Sequence, residues 1–281
     1  MTRFDFVDTH VHFYDMQHPE LLYAHWRDKL QRLAERNYLA EDYVAETRNA
    51  NVTKAVHVQA AIGSKDPVKE TEWLQTAADR TGFPHGIVAY SDLSDPDVEA
   101  ELERHCQFPN MRGLRDFSHG DYLVRSDFQR GFALLEKFDL RASMSVQWQD
   151  MDKLLDLASK FPNITIVVDH TGSPTERNPE YLEKWKKGME TVAQADNVRC
   201  KISGLGMSEP KWTAESIRPY VLHCIETFGV ERSFFGSNWP VDWLFSTYDY
   251  LVDAYHEITA DFTDDERIAL FSKTAETIYN I

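Results

Sequence analysis

The apolar positions of the chain gather into short runs separated by amphipathic stretches. Phe6 to His12 (FVDTHVH) has the apolar, β-branched content of a strand, and Lys54 to Ala61 (KAVHVQAA), His85 to Leu93 (HGIVAYSDL) and Met111 to Phe117 (MRGLRDF) read as strands after it. The same holds for Arg141 to Gln147 (RASMSVQ), Ile164 to His170 (ITIVVDH), Val198 to Gly204 (VRCKISG) and Ser233 to Val241 (SFFGSNWPV). Ile164 to His170 is the clearest, and such a β-branched run is buried on both faces, as parallel strands covered by helices are.

The stretches between read as helices: Ala40 to Asn49, Lys69 to Thr81, Pro96 to Cys106, Ser126 to Lys137, Met151 to Lys160, Glu180 to Gln194, Ala214 to Phe228 and Thr263 to Ile278. Proline is tolerated in a first helical turn, which places a start at Pro96. Ser126 with Gln129, and Thr263 with Glu266, have the spacing of capping boxes. Phe13 to Tyr38 is too long for a turn and rich in aromatic and charged residues, as lids and substrate walls are.

Eight strands alternating with helices, without a low-complexity linker or a break in composition, predict a single α/β domain over residues 1–281, a (β/α)8 TIM barrel. The rival is a doubly wound sheet, which would usually carry a Gly-rich phosphate turn after strand one; H-V-H-F-Y supplies none.

Charge narrows the function. A formal net charge of −16 repels phosphate backbones and anionic membranes, so nucleic-acid and membrane-surface partners are not expected. Cys106, Cys200 and Cys224 are too few and scattered for a disulfide framework or a thiolate zinc site, and read as buried thiols of a reducing compartment. Met1-Thr2-Arg3 runs straight into the first strand without a signal-peptide apolar segment, and no apolar run approaches ~20 residues. A cytoplasmic, soluble protein acting on a small molecule is expected; the sequence is compatible with a homo-oligomer without specifying one.

Barrel active sites form where strands end, so candidates are collected by position. They are His10 and His12 on strand one, Gln59 on two, Arg115 on four, Gln147 on five, His170 on six, Lys201 and Ser203 on seven, and Asn238 on eight. Side chains two apart on a strand share a face, so His10 and His12 converge; such a pair can hold a divalent cation or polarise a substrate without one. Lys201 inside an apolar strand calls for a partner carboxylate or a substrate oxygen. His57 reads equally as a core histidine or a site residue. Trp26, Trp148, Trp239 and Trp243 lie near strand ends or in loops and could wall a pocket.

With these residues in view, the chain resembles the amidohydrolase superfamily, and within it the amidohydrolase-2 group of sugar-lactone and 2-pyrone-4,6-dicarboxylate lactonases. The matching motifs run in order along nearly the whole chain: V-D-T-H-V-H, V-Q-A around Gln59, E-T-E-W-L at Glu70 to Leu74, G-L-R at Gly113 to Arg115, V-D-H-T-G around His170, C-K-I-S-G-L at Cys200 to Leu205, R-P-Y at Arg218 to Tyr220 and F-G-S-N-W-P-V at Phe235 to Val241. The resemblance implies a barrel hydrolase that opens a small cyclic ester. His10, His12, His170 and Asn238 would do the chemistry, and Arg115, Lys201, Gln147 and Trp239 would hold the substrate.

Two departures qualify it. Relatives with two metal ions use a strand-four lysine or glutamate and a strand-five histidine, where this chain has Arg115 and Gln147. The resemblance therefore implies at most one divalent cation, such as zinc, held loosely by His10, His12 and His170, or a metal-independent reaction. The group's usual strand-eight acid is Asn238 here, and an amide has no usable proton affinity, so His170 is the first choice for moving the proton, with Asp242 or His57 behind it. Related lactone isomerases also carry asparagine there, which makes isomerisation the alternative, followed by a ligand-binding barrel without turnover.

Overall fold

The computed structural model describes residues 4–116, 118 and 120–281. Met1 to Arg3 and Phe117, the expected end of strand four, lie outside the described residues. Strands β1 (Phe6–Val11), β2 (Val52–Val58), β3 (Gly86–Ala89), β4 (Met111–Leu114), β5 (Arg141–Met144), β6 (Ile166–Val168), β7 (Val198–Ile202) and β8 (Ser233–Phe235) pair in parallel in chain order. Beyond β8 the ring is drawn together: the His12 N–H donates to the Trp239 carbonyl at 2.7 Å, and Val11 bridges Trp239. The fold is a (β/α)8 barrel.

The helices are α1 (Ala24–Lys29) and α2 (Ala40–Glu46) after β1, α3 (Val68–Thr81), α4 (Val98–His105), α5 (Ser126–Lys137), α6 (Met151–Lys160), α7 (Pro179–Val192) and α8 (Ala214–Phe228) after β2 to β7, and α9 (Tyr248–Ile258), α10 (Asp264–Ile268) and α11 (Thr274–Tyr279) at the end. Each strand stops before its hydrophobic run does, because the last residues of the run leave the ladder to form the mouth. The capping box expected at Ser126 is absent: Arg125 occupies the cap, and the Gln129 amide donates to the Leu123 carbonyl at 2.8 Å instead. Thr263 and Glu266 do form theirs. The helix expected from Pro96 starts at Val98, since the Asp95 carboxylate first takes the Asp97 N–H in a turn at 2.7 Å. Helices α1 and α9 carry no signal strong enough to have been read.

Val7, Val56, Val58, Val88, Val167 and Phe234 fill the barrel, and Ile278 and Tyr279 of α11 join that cluster. Burying each such side chain stabilises the fold by ~1.5–3 kcal/mol. A register slip in β1 between Asp8 and Val11 then matters for function. Val7 faces the barrel interior, Asp8 turns to the hydroxyls of Tyr43 and Tyr248 on α2 and α9 at 2.9 and 2.8 Å, and His10 and His12 are returned to the mouth. Re-aiming side chains is what a β-bulge does. Among the described residues no helix is long and apolar enough to cross a membrane.

Candidate active site

Three imidazoles meet at the mouth. The ring centroids of His10 and His12 are 4.9 Å apart, and those of His10 and His170 4.3 Å. His12 Nδ1 lies 2.7 Å from the Val58 carbonyl. A carbonyl only accepts, so Nδ1 carries the proton and the Nε2 lone pair is left for the other side of the ring. His170 Nδ1 is 2.9 Å from the Ser203 hydroxyl. Neither ring nitrogen of His10 has a hydrogen-bond partner among the described residues. Burial pushes His10 and His12 well below the ordinary histidine value, with the neighbouring His170 and His57 adding to the shift. Burial takes His170 down to about 3 against the opposing pull of Asp169. All three rings are neutral near pH 7.

Asp169, which the sequence reading passed over, organises this end of the barrel. Its carboxylate receives Lys201 Nζ at 3.0 Å, Arg115 Nε at 3.2 Å and the Ser143 hydroxyl at 2.8 Å. Burial alone would raise its pKa, but Lys201 and then Arg115 hold it well below the usual carboxylate range. Lys201 is 0% exposed, between Asp169 and the Tyr279 ring, and does not line the cavity; the partner that its burial demanded is a carboxylate and not a substrate. Arg115 does both: it binds Asp169, donates to the Ser145 hydroxyl at 2.5 Å, and lines the cavity.

His170 and Thr171 both have φ 54. Left-handed backbone costs a non-glycine residue ~1–2 kcal/mol, so this turn must be held from outside. The Trp185 indole of α7 does so, donating to the Thr171 carbonyl at 2.8 Å. Gly204 completes the support, because a Cβ there would lie 2.6 Å from His170 Nδ1.

Asn238, with φ 58, points its amide Nδ2 at Asp242 Oδ1, 2.9 Å away. Asp242 Oδ2 has no partner among the described residues, and burial raises this carboxyl to about 7 despite the Asn238 hydrogen bond. Between these two groups, Asp242 is the one raised towards neutrality, and His170, the first choice from sequence for moving the proton, is the one lowered away from it.

The cavity has a volume of about 260 Å³ and includes His12, Gln59, Arg115, His170 and Asn238, with Trp26, Ile62 and Met207 as apolar wall. Trp26 is fixed by its indole N–H on the Ala60 carbonyl at 3.0 Å and meets His12 edge-on at 5.5 Å. The other tryptophans do not reach it. Trp239 is fully buried outside the barrel, donating to Glu46 at 2.9 Å and packing on Tyr248, because the left-handed Asn238 turns the chain outward. Trp148 packs on Gly188, and Trp243 lies under the guanidiniums of Arg32 and Arg36. Gln147 is exposed in a neighbouring depression that shares Ser145 with the cavity. His57 accepts the Phe13 N–H at 3.0 Å and faces Glu70 at 3.6 Å, bracing the wall behind His12.

The unpartnered nitrogens of His10 are a donor set of the kind metals use, but no three His, Cys, Asp or Glu side chains among the described residues stand in ligating geometry. Asp169 is committed to two cations, and the Arg115 guanidinium adds positive charge beside any ion. As arranged, the residues do not fit a tight metal centre.

A barrel whose strand ends bring imidazoles, a guanidinium and two side-chain amides to one cavity is built as an enzyme. The chain belongs to the amidohydrolase family, whose model matches residues 7–281. It is 41% identical to the uncharacterized protein y4mH of Sinorhizobium fredii, with 98% of each chain covered. It is 27% identical to an L-fucono-1,5-lactonase of Burkholderia ambifaria, over 84% of this chain and 80% of that one. Its fold superposes with a TM-score of 0.87 on an amidohydrolase of Burkholderia multivorans solved with zinc bound, at 24% identity and 99% coverage of both chains.

Proposed function

We propose that the protein hydrolyses a small lactone derived from a sugar acid. The observation that carries this reading is the set of neutral imidazoles beside Arg115 at one cavity of about 260 Å³, a size suited to a single small ring. The lactone carbonyl oxygen faces Arg115, whose charge stabilises the oxyanion that forms as water adds to the carbonyl carbon. Asn238 orients that water through Oδ1, since its amide nitrogen is held by Asp242. His170 takes the water proton and returns it to the departing ring oxygen. Its low proton affinity makes the transfer uphill in the resting site, and the growing negative charge on the substrate offsets this. The sugar-lactonase relative supports the substrate class. At most one weakly held cation on His10, His12 and His170 is compatible with the arrangement; when bound it would polarise the carbonyl.

The amide at the end of β8 favours one second reading, isomerisation, with a substrate hydroxyl in place of water. A panel of aldonolactones assayed for proton release and ring rearrangement, with and without a chelator, tests both. Acid release supports hydrolysis, and rearrangement without acid replaces it by isomerisation. Binding without turnover of any lactone leaves a ligand-binding barrel.

A further inference from the structure

We infer that Gln59 selects the substrate by reading the hydroxyls of a neutral, polyhydroxylated ring. The inference rests on the lactone reading of this cavity and adds what the ring must carry. Gln59 lines the cavity at 2% exposure, and neither its Nε2 nor its Oε1 has a partner among the described residues. Leaving a buried polar group unmatched is destabilising, so an apolar side chain would suit the resting fold better here.

The backbone around Gln59 has no freedom to move the amide elsewhere. Its own N–H donates to the Val88 carbonyl at 2.8 Å. The Val58 carbonyl holds His12, the Ala60 carbonyl holds Trp26, and the N–H groups of Ala60 and Ala61 both sit on Glu70 at 2.8 Å. The amide is presented by the same segment that fixes the His12 imidazole and the cavity wall.

An amide offers one donor and one acceptor side by side. A hydroxyl pair, one accepting and one donating, satisfies both; a carboxylate satisfies only Nε2 and is repelled by Oε1. Among the described residues that line the cavity Arg115 is the one lysine or arginine, and its Nε is already paired with Asp169. The cavity therefore fits a neutral hydroxylated lactone and not a dicarboxylate.

The test is Gln59→Leu, measured by ligand-free thermal unfolding and by the ratio of kcat/KM for hydroxylated aldonolactones to that for unsubstituted δ-valerolactone. We expect an unchanged or raised Tm and a ratio lowered by about 100-fold, the scale of rejection when a polar reader is lost. Equal losses on both rings, or a Tm lowered by several degrees, overturn the inference. Should the parent turn over no lactone, hydroxylated lactones at millimolar concentration that raise the parent's Tm but not the variant's would uphold Gln59 while removing the hydrolase reading. No stabilisation of either protein would remove both.

Discussion

Asp169 and Asp242 are carboxylates buried at the same end of one barrel, yet one is an anion throughout the working pH range and the other is half protonated near pH 7. Burial acts on both in the same direction, so burial does not separate them. Asp169 has two cations and a hydroxyl within 3.2 Å, whereas Asp242 has one neutral amide and a bare oxygen. Asp8 lies between: Ser237, Tyr43 and Tyr248 all donate to it, and its pKa still rises because neutral donors do not fully offset desolvation. In this barrel a fixed charge requires a charged partner, and the carboxyl that lacks one is the group left to respond to pH.

The comparison breaks most easily at Asp169. Asp169→Asn takes the buried carboxylate away from both Lys201 and Arg115, and unfolding in denaturant should show a loss of about 3–5 kcal/mol. Its lowered pKa means that the stabilisation is complete above the unfolded value of 3.8 and fades as pH falls further. A loss below about 1 kcal/mol would mean that the two cations are held by something else.

At Asp242 the sign reverses. The folded protein keeps a proton that the unfolded chain releases between 3.8 and about 7, so this group makes stability fall as pH climbs through that window and level off above it. Asp242→Asn should remove the slope and leave the variant more stable than its parent at pH 8, by at most about 4 kcal/mol. Because Asp242 holds the amide that orients the water, its ionisation should also put a limb near pH 7 into the activity profile, and Asp242→Asn should remove that limb. His170→Asn should lower turnover, and in its residual activity that limb should persist, because His170 titrates near 3. A limb lost in His170→Asn and kept in Asp242→Asn would reverse the assignment.

Asn238→Asp brings a second carboxyl to 2.9 Å from Asp242, where the two must share a proton. It also restores the acid of the resembled hydrolases. Hydrolysis rising about tenfold with less ring rearrangement would show that the native protein leaned towards isomerisation. Loss of hydrolysis in a folded variant would make the amide part of the hydrolytic machinery and drop the isomerase reading.

These contrasts also mark where the sequence could be read. The eight strands were legible because short strand-like runs alternate with helical stretches along the whole chain, and His10, His12 and His170 because strand ends in a barrel share one space. Asp169 was not, although it stands beside His170 in V-D-H: only the curved sheet, which brings the ends of β4 and β7 within reach of the end of β6, shows that Arg115 and Lys201 both turn to it. The signal was there in the cost of burying Lys201, which required an acid within reach. Trp239 was misplaced because its direction depends on the left-handed turn at Asn238, a backbone choice that no pattern of apolar residues records.

The smallest effect expected concerns metal, and it follows from the same two carboxylates. Asp169 is the acid nearest the imidazoles, 3.8 Å from His10 Nδ1, but its oxygens are committed to Lys201, Arg115 and Ser143. Asp242 Oδ1 is held by Asn238, and no set of three ligating side chains among the described residues includes this acid. An ion here would rest on neutral imidazoles alone, next to the Arg115 charge, so elemental analysis after gentle purification should give one equivalent or less. Binding that weak stabilises little: at an ion concentration equal to Kd the gain is only about 0.4 kcal/mol, so a chelator should move Tm by a degree or two at most. Two tightly bound equivalents, or a chelator shift of ten degrees, would mean that Asp169 gives up its cations to a metal and that the contrast with Asp242 holds only in the metal-free protein.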